Sequence, residues 1–151
     1  MKMVLASKNP HKLVEMKDIL GHMGVEVVLE SDVGVDVDVE ETGETFEANS
    51  ALKAPAGAAA AGLPAVASVS GLCVTALGGG PGVYSARYGG PGLTDQERYR
   101  LVLTGLSGQL DRSAKFVSCI CCAFPDGTVL TARGECPGII TYAPRGEDGF
   151  G

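Results

Sequence analysis

Positive charge is scarce in this 151-residue chain. Twelve lysines and arginines face eighteen aspartates and glutamates, giving a net charge of −6 and a pI near 4.8. Coating a nucleic-acid duplex needs a basic face, so no nucleic-acid partner is expected. A small anionic ligand held by a few local cations stays open. Long apolar runs are also missing, and none reaches the length that spans a bilayer, so no membrane partner is expected. The opening MKMVLAS runs straight into polar residues and does not read as a signal peptide. A cytoplasmic protein is the expectation. Tryptophan is absent, and there are four Phe and four Tyr. The five cysteines are an odd number. Cys119 and Cys121 sit at strand spacing in an apolar run, as small core residues do, so a buried, reduced set is expected and no disulfide framework.

What is present points to a folded domain. Apolar residues make up 45 % and charged residues 20 %, with a mean hydropathy of +0.18, unlike the composition of disordered chains. The length suits one domain with a core of its own, and no repeat or linker divides residues 1–151. Glycine is abundant at 22 residues, roughly twice the usual share. It has no fixed period, so the glycines belong to loops and not to a collagen-like repeat.

The pattern alternates between strands and helices. Met1 to Ala6 reads as a strand, and Leu13, Met16, Leu20 and Met23 mark one helical face ending at Gly21 and Gly24. Glu26 to Leu29 reads as a second strand. Val33, Val35, Val37 and Val39 alternate with Gly34, Asp36, Asp38 and Glu40, which predicts a strand with one wet face. Thr45 to Ala61 reads as an alanine-rich helix disturbed by Pro55 and Gly57, and Ala65 to Ser68 as a buried strand. Two glycine-dense stretches, residues 78–82 and 89–92, flank Val83 to Tyr88. Thr94 to Glu97 is a capping-box pattern opening a helix that turns Leu101, Val102 and Leu106 inward. Lys115 to Phe124 is a strand, Pro125-Asp126-Gly127 a turn, and Thr128 to Arg133 its hairpin partner. Residues 144–151 read as loop. The fold class is α/β with a mixed sheet flanked by helices.

Two features could carry chemistry. Ser7, Lys8, Asn9, Pro10, His11 and Lys12 lie on the first strand-to-helix turn, where free N–H groups and ammonium side chains suit a polyphosphate. An ordinary capped helix with solvated lysines fits the same residues. The GxxxxGK[ST] pattern of a P-loop is absent. From Glu26 to Glu47 there are nine acidic residues and no lysine or arginine, which reads either as a solvated face or as carboxylates near a hard cation such as Mg²⁺. His11 and His22 lack metal-ligand spacing and read as surface residues.

Several segments together resemble one family. Ser7 to Lys12 is similar to its T-G-N-x-x-K opening, and Glu40 to Phe46 to its E-E-T-G-x-T-F motif, with Asn49 and Lys53 at the matching places. Ser70-Gly71-Leu72, Ala76 to Gly79 and Pro81 to Tyr88 resemble its central signature. Pro144-Arg145-Gly146 and Gly149-Phe150-Gly151 resemble the start of its base-binding loop. The family is the inosine/xanthosine triphosphate pyrophosphatases, which remove non-canonical purine nucleotides. The resemblance implies hydrolysis of dITP, ITP or XTP to the monophosphate and pyrophosphate with one Mg²⁺. It also implies an elongated mixed sheet, two lobes with a central cleft, and a homodimer. In that picture the segment from Ser7 to Lys12 would hold the triphosphate, with Lys53 helping to neutralise it. Glu41 would be a metal ligand, Ser70 would contact the substrate, and Phe150 and Gly151 would begin the purine pocket.

The departures from the family are local. Its A-D-D-S-G segment reads Ala67-Ser68-Val69-Ser70-Gly71 here. Val69 stands where the family has the aspartate that serves as general base and metal ligand, and Ser68 replaces the aspartate before it. Neither side chain substitutes for a carboxylate, and general-base catalysis is commonly worth about 10²–10⁴-fold. Ala48 replaces a glutamate, and Cys73 and Thr75 stand where the family usually has acids. The family's later Y-D-P-x-F and S-H-R segments do not follow Gly151, so the chain is expected to be a C-terminally shortened member. The alternatives to an active pyrophosphatase are a catalytically impaired nucleotide-binding form or a fragment without function.

Overall fold

The structure, a computed structural model, describes residues 1–147. Six strands and three α-helices follow in the order β1 (Lys2–Leu5), α1 (Pro10–Gly21), β2 (Glu26–Leu29), α2 (Phe46–Ala61), β3 (Ala65–Val74), β4 (Gly80–Pro81), α3 (Asp95–Gly105), β5 (Ser113–Ala123) and β6 (Val129–Ile139). The sheet order is β2-β1-β3-β5-β6, with β4 beside β3. β1 pairs in parallel with β2 and with β3, while β4 pairs antiparallel with β3. This is the mixed sheet of an α/β protein.

The chain forms two compact units. The first comprises Met1–Val69 and Ser118–Gly134, the second Ser70–Val117 and Glu135–Gly151. In the first unit α2 packs its small residues on the sheet, so Ala54 and Ala58 join Val4, Ala6, Ala65, Ala67, Cys121 and Ala123 in one cluster. Gly57 permits that approach: a Cβ there would lie 3.2 Å from Ala6 Cβ and 3.4 Å from Ala65 Cβ. α1 closes a second cluster with Met16 against Met3, Leu5, Val27 and Val66. In the second unit Val102 and Leu106 of α3 pack with Leu72, Val74 and Ala114. Thr94 caps α3 as expected, its Oγ1 accepting from Glu97 N–H at 3.1 Å while Glu97 Oε1 accepts from Thr94 N–H at 3.3 Å. Leu101 does not turn fully inward: it is exposed, and its methyl lies over Gly89, where a Cβ would come within 2.3 Å of it.

Other expectations change on the structure. No strand forms over residues 33–39. Glu30–Val33 is a 3-10 turn closed by Gly34 in the left-handed region (φ +72°), and residues 35–43 carry no regular element. The alternation is nevertheless kept in burial, with the four valines half-buried and Gly34, Asp36, Asp38 and Glu40 exposed. Pro55 does not interrupt α2. β3 continues past Ser68 to Val74, and β6 runs six residues beyond Arg133, exposed along its whole length. Cys119 and Cys121 are buried, Cys73 and Cys122 half-buried, and Cys136 exposed; all five are thiols. Cys119 and Cys122 stand at C-x-x-C spacing, but an odd separation along β5 sends their side chains to opposite faces.

Candidate phosphate site in the first unit

The turn between β1 and α1 is built by its own polar side chains. Ser7 Oγ accepts from Asn9 N–H at 3.1 Å, and Asn9 Oδ1 accepts from His11 N–H at 2.9 Å, with Pro10 at the first helical position. Asn9 thus serves as the helix N-cap, and Ser7 braces the residue that caps it. Lys8 is exposed and pairs with Asp36 at 3.2 Å, which raises its pKa. His11 is exposed.

Lys12, one turn into α1, points back across the sheet. Its Nζ donates to the Ser68 carbonyl at 2.5 Å, and the side chain is largely shielded from solvent. Burial, then the charge of Lys53, lowers its pKa. No carboxylate of the described residues forms an ion pair with it. Lys53 projects from α2 and donates to Glu41 Oε1 at 2.9 Å. Asn49, one turn earlier in α2, is fully buried. Its Oδ1 accepts from Gly43 N–H at 2.8 Å, which fastens the E-E-T-G-x-T-F loop to the helix, while its Nδ2 has no partner. Lys12, Lys53, Glu41 and the Ser68 carbonyl therefore belong to one unit and one electrostatic neighbourhood.

A pocket of about 170 Å³ lies beside this turn, with Ser7, Lys8, Lys53, Glu30 and Asp38 among its lining residues. Glu30 was not singled out among the candidates, although it stands in the acidic segment. It is 7 % exposed, and its pKa is raised chiefly by burial, against a backbone hydrogen bond from Val37 and the nearby charges of Lys8 and Lys53. Its only advance signal was a charged residue directly after the apolar strand β2.

The remaining candidates lie elsewhere. Ser68 and Val69 are buried in β3, at 4 % and 3 % exposure. Ser70 is exposed and belongs to the second unit. Phe150 and Gly151 lie outside the described residues. The second unit has its own apolar pocket of about 430 Å³, lined by Leu72, Tyr99, Val102, Phe116 and Arg145 among others. Two loop residues are structural there. Buried Ser85 donates to the Gly82 carbonyl at 2.6 Å and accepts from Leu72 N–H at 2.9 Å. Arg98 donates to the carbonyls of Leu93 and Gly90.

The donor set does not fit a protein-built Mg²⁺ site. Among the described residues no three His, Cys, Asp or Glu side chains come together to hold a metal. Hard cations take several oxygen ligands. Glu41, the ligand the resemblance implies, has one oxygen on Lys53, and position 69 offers an aliphatic side chain.

The pattern of the Ham1 family matches residues 3–151. A dITP/XTP pyrophosphatase of Exiguobacterium sp. is 46 % identical over 151 residues, covering 100 % of this chain and 77 % of that protein. A dITP/XTP pyrophosphatase of Haemophilus influenzae is 46 % identical, covering 99 % and 78 %. Among solved structures, a HAM1 protein from Coxiella burnetii superposes with a TM-score of 0.89 at 40 % identity, covering 100 % of this chain and 78 % of that one. The Staphylococcus aureus Ham1 protein gives 0.88 at 40 % identity with the same coverage. No helix of the described residues is long and apolar enough to cross a membrane.

Proposed function

The chain belongs to the Ham1 family, and from that premise we propose that it is a nucleoside-triphosphate pyrophosphatase acting on dITP, ITP and XTP. Water adds at the α–β anhydride, the bridging P–O bond breaks, and the products are the nucleoside monophosphate and pyrophosphate. The observation that carries the phosphate-binding half of this reading is Lys12: a shielded ammonium with a neutral carbonyl partner and a second lysine close by. Lys12 is half-buried with no ion-pair partner among the described residues, and a triphosphate would supply the anion.

Each side chain has a part in this proposal. Lys12 and Lys53 take the phosphate charge, Lys8 lies at the mouth of the same turn, and Ser7 and Asn9 fix the shape of the turn that carries them. Pro10 fixes the first helical residue, and His11 lies on the solvent side. By the resemblance, Ser70 would contact the substrate, and Phe150 and Gly151 would begin the purine pocket. The homodimer and the cytoplasmic setting implied by the resemblance are part of the same proposal.

A second reading has its own observation. Ser68 and Val69 are buried and cannot take a proton from water at neutral pH, which favours a form that binds nucleotide and turns it over slowly or not at all. Pyrophosphate release from dITP and XTP, beside dGTP as control, separates the two. Selective release from dITP and XTP is the expected outcome of the first reading. Tight binding without release establishes the second, and neither binding nor release sinks both.

A further inference from the structure

We propose that this chain captures the triphosphate without a divalent cation, and that Glu41 serves there as the counter-ion of Lys53 and not as a cation ligand. The inference rests on the nucleotide reading above and concerns the same site. Three features carry it. First, the carboxylates that would share a cation with the phosphates are not assembled: position 69 is a buried valine, position 68 a buried serine, and no three metal-ligating side chains of the described residues converge. Second, of the carboxylates near the site, the one that the resemblance assigns to the cation is already engaged. Glu41 Oε1 accepts from Lys53 Nζ at 2.9 Å, with both side chains largely shielded, so their charges cancel locally. Third, the charges that act on Lys12 are those of Lys53, Glu41 and Glu15, and none of those carboxylates pairs with it directly. Its hydrogen-bond acceptor is the Ser68 carbonyl.

The charge balance then differs from that of a carboxylate-lined site. Where two or three aspartates face a triphosphate, a divalent cation must screen like charge from like charge. Here positions 68 and 69 add no such repulsion, Lys12 has a carbonyl and no direct ion-pair partner among the described residues, and Lys53 can pass from Glu41 to a phosphate oxygen. The metal-free polyanion is the better electrostatic match, since chelation by Mg²⁺ removes charge that the two lysines would otherwise neutralise.

The test is calorimetric titration of the full chain with the α,β-methylene analogue of dITP, which cannot be cleaved, in EDTA and again in millimolar Mg²⁺. Affinities within about threefold of each other, or tighter in EDTA, are expected. Glu41→Gln should bind about three- to tenfold tighter in EDTA because Lys53 loses its competitor, with no loss in Mg²⁺. Binding that needs Mg²⁺, and that Glu41→Gln abolishes, would overturn the inference and leave the pyrophosphatase reading standing. A cooperatively folded chain that binds in neither condition overturns both. The unaltered chain decides the metal question even if the variant does not fold.

Discussion

Lys12 holds its charge under unusual conditions for a lysine: half-buried, beside a second lysine, with a carbonyl for a partner. Burial and Lys53 both disfavour the charged form, so its pKa lies below the ordinary 10.5. Phosphate affinity that depends on this ammonium should therefore begin to fall, as pH rises, earlier than an exposed lysine would allow. Lys12→Arg stays charged and should keep binding the triphosphate across that alkaline range, as pH-dependent titration would show. Equal pH profiles for the two would remove Lys12 from the site. Glu30 has the opposite sign of problem. Burial raises its pKa, so the folded state holds the proton more tightly than the unfolded state. That contribution to stability is complete below the ordinary carboxylate value of 4.5 and is lost as pH rises through the folded value. Glu30→Gln keeps an acceptor for the Val37 N–H and removes the buried charge. Its melting temperature should exceed that of the parent by about 2–4 °C at neutral pH, with the gain vanishing in acid.

At the scale of elements, α2 carries an internal strain that the fold tolerates. Pro55 lies within the helix, so the Ala51 carbonyl lacks its i+4 donor and the ring crowds the preceding turn. Pro55→Ala should stabilise the protein by about 1–3 kcal/mol, read as a higher denaturation midpoint with an unchanged slope. Gly43 tests the opposite case: a Cβ there would stand 2.7 Å from Asn49 Oδ1 and 2.8 Å from Ala48 Cβ. Gly43→Ala should cost about 1–3 kcal/mol and release the loop that carries Glu41.

Elements governed by local chemistry were legible in the sequence. The Thr94–Glu97 box, the turn after β5 and the face of α1 formed by Leu13, Met16 and Leu20 appeared as the residues suggested, whereas Met23 lies past the helix and is exposed. The valine alternation over residues 33–39 fixed burial but not pairing, because period two marks one sheltered face whether or not a neighbouring strand supplies a ladder. In the candidate site, the lysines and the Glu41 loop could be named in advance. The contact of Lys12 with Ser68 could not, since a backbone carbonyl leaves no mark on residue identity. Nor could the burial of Glu30, which depends on α2 approaching through Gly57, where a Cβ would sit 3.3 Å from Glu30 Oε1.

At the scale of the whole molecule, the outer strand decides how the protein behaves in concentrated solution. β6 ends the sheet order, is exposed along eleven residues, and presents Val129, Leu130 and Ile139 to solvent. An exposed edge of that length is a template for pairing with another chain. Two features oppose uncontrolled pairing. Pro137 donates no hydrogen bond, and the ion pairs Arg133–Glu47 and Lys115–Glu135 place charge along the strand. The net charge of −6 adds a general repulsion between copies. Pro137→Val restores a donor and a β-branched side chain to the edge. It should raise light scattering with protein concentration while leaving the thermal midpoint of dilute protein within about 2 °C of the parent. High salt should strengthen the effect in parent and variant alike, because it screens the shared negative charge over a few ångströms. Scattering that is unchanged by the variant but rises with salt would place association elsewhere, on the apolar surface around Phe116.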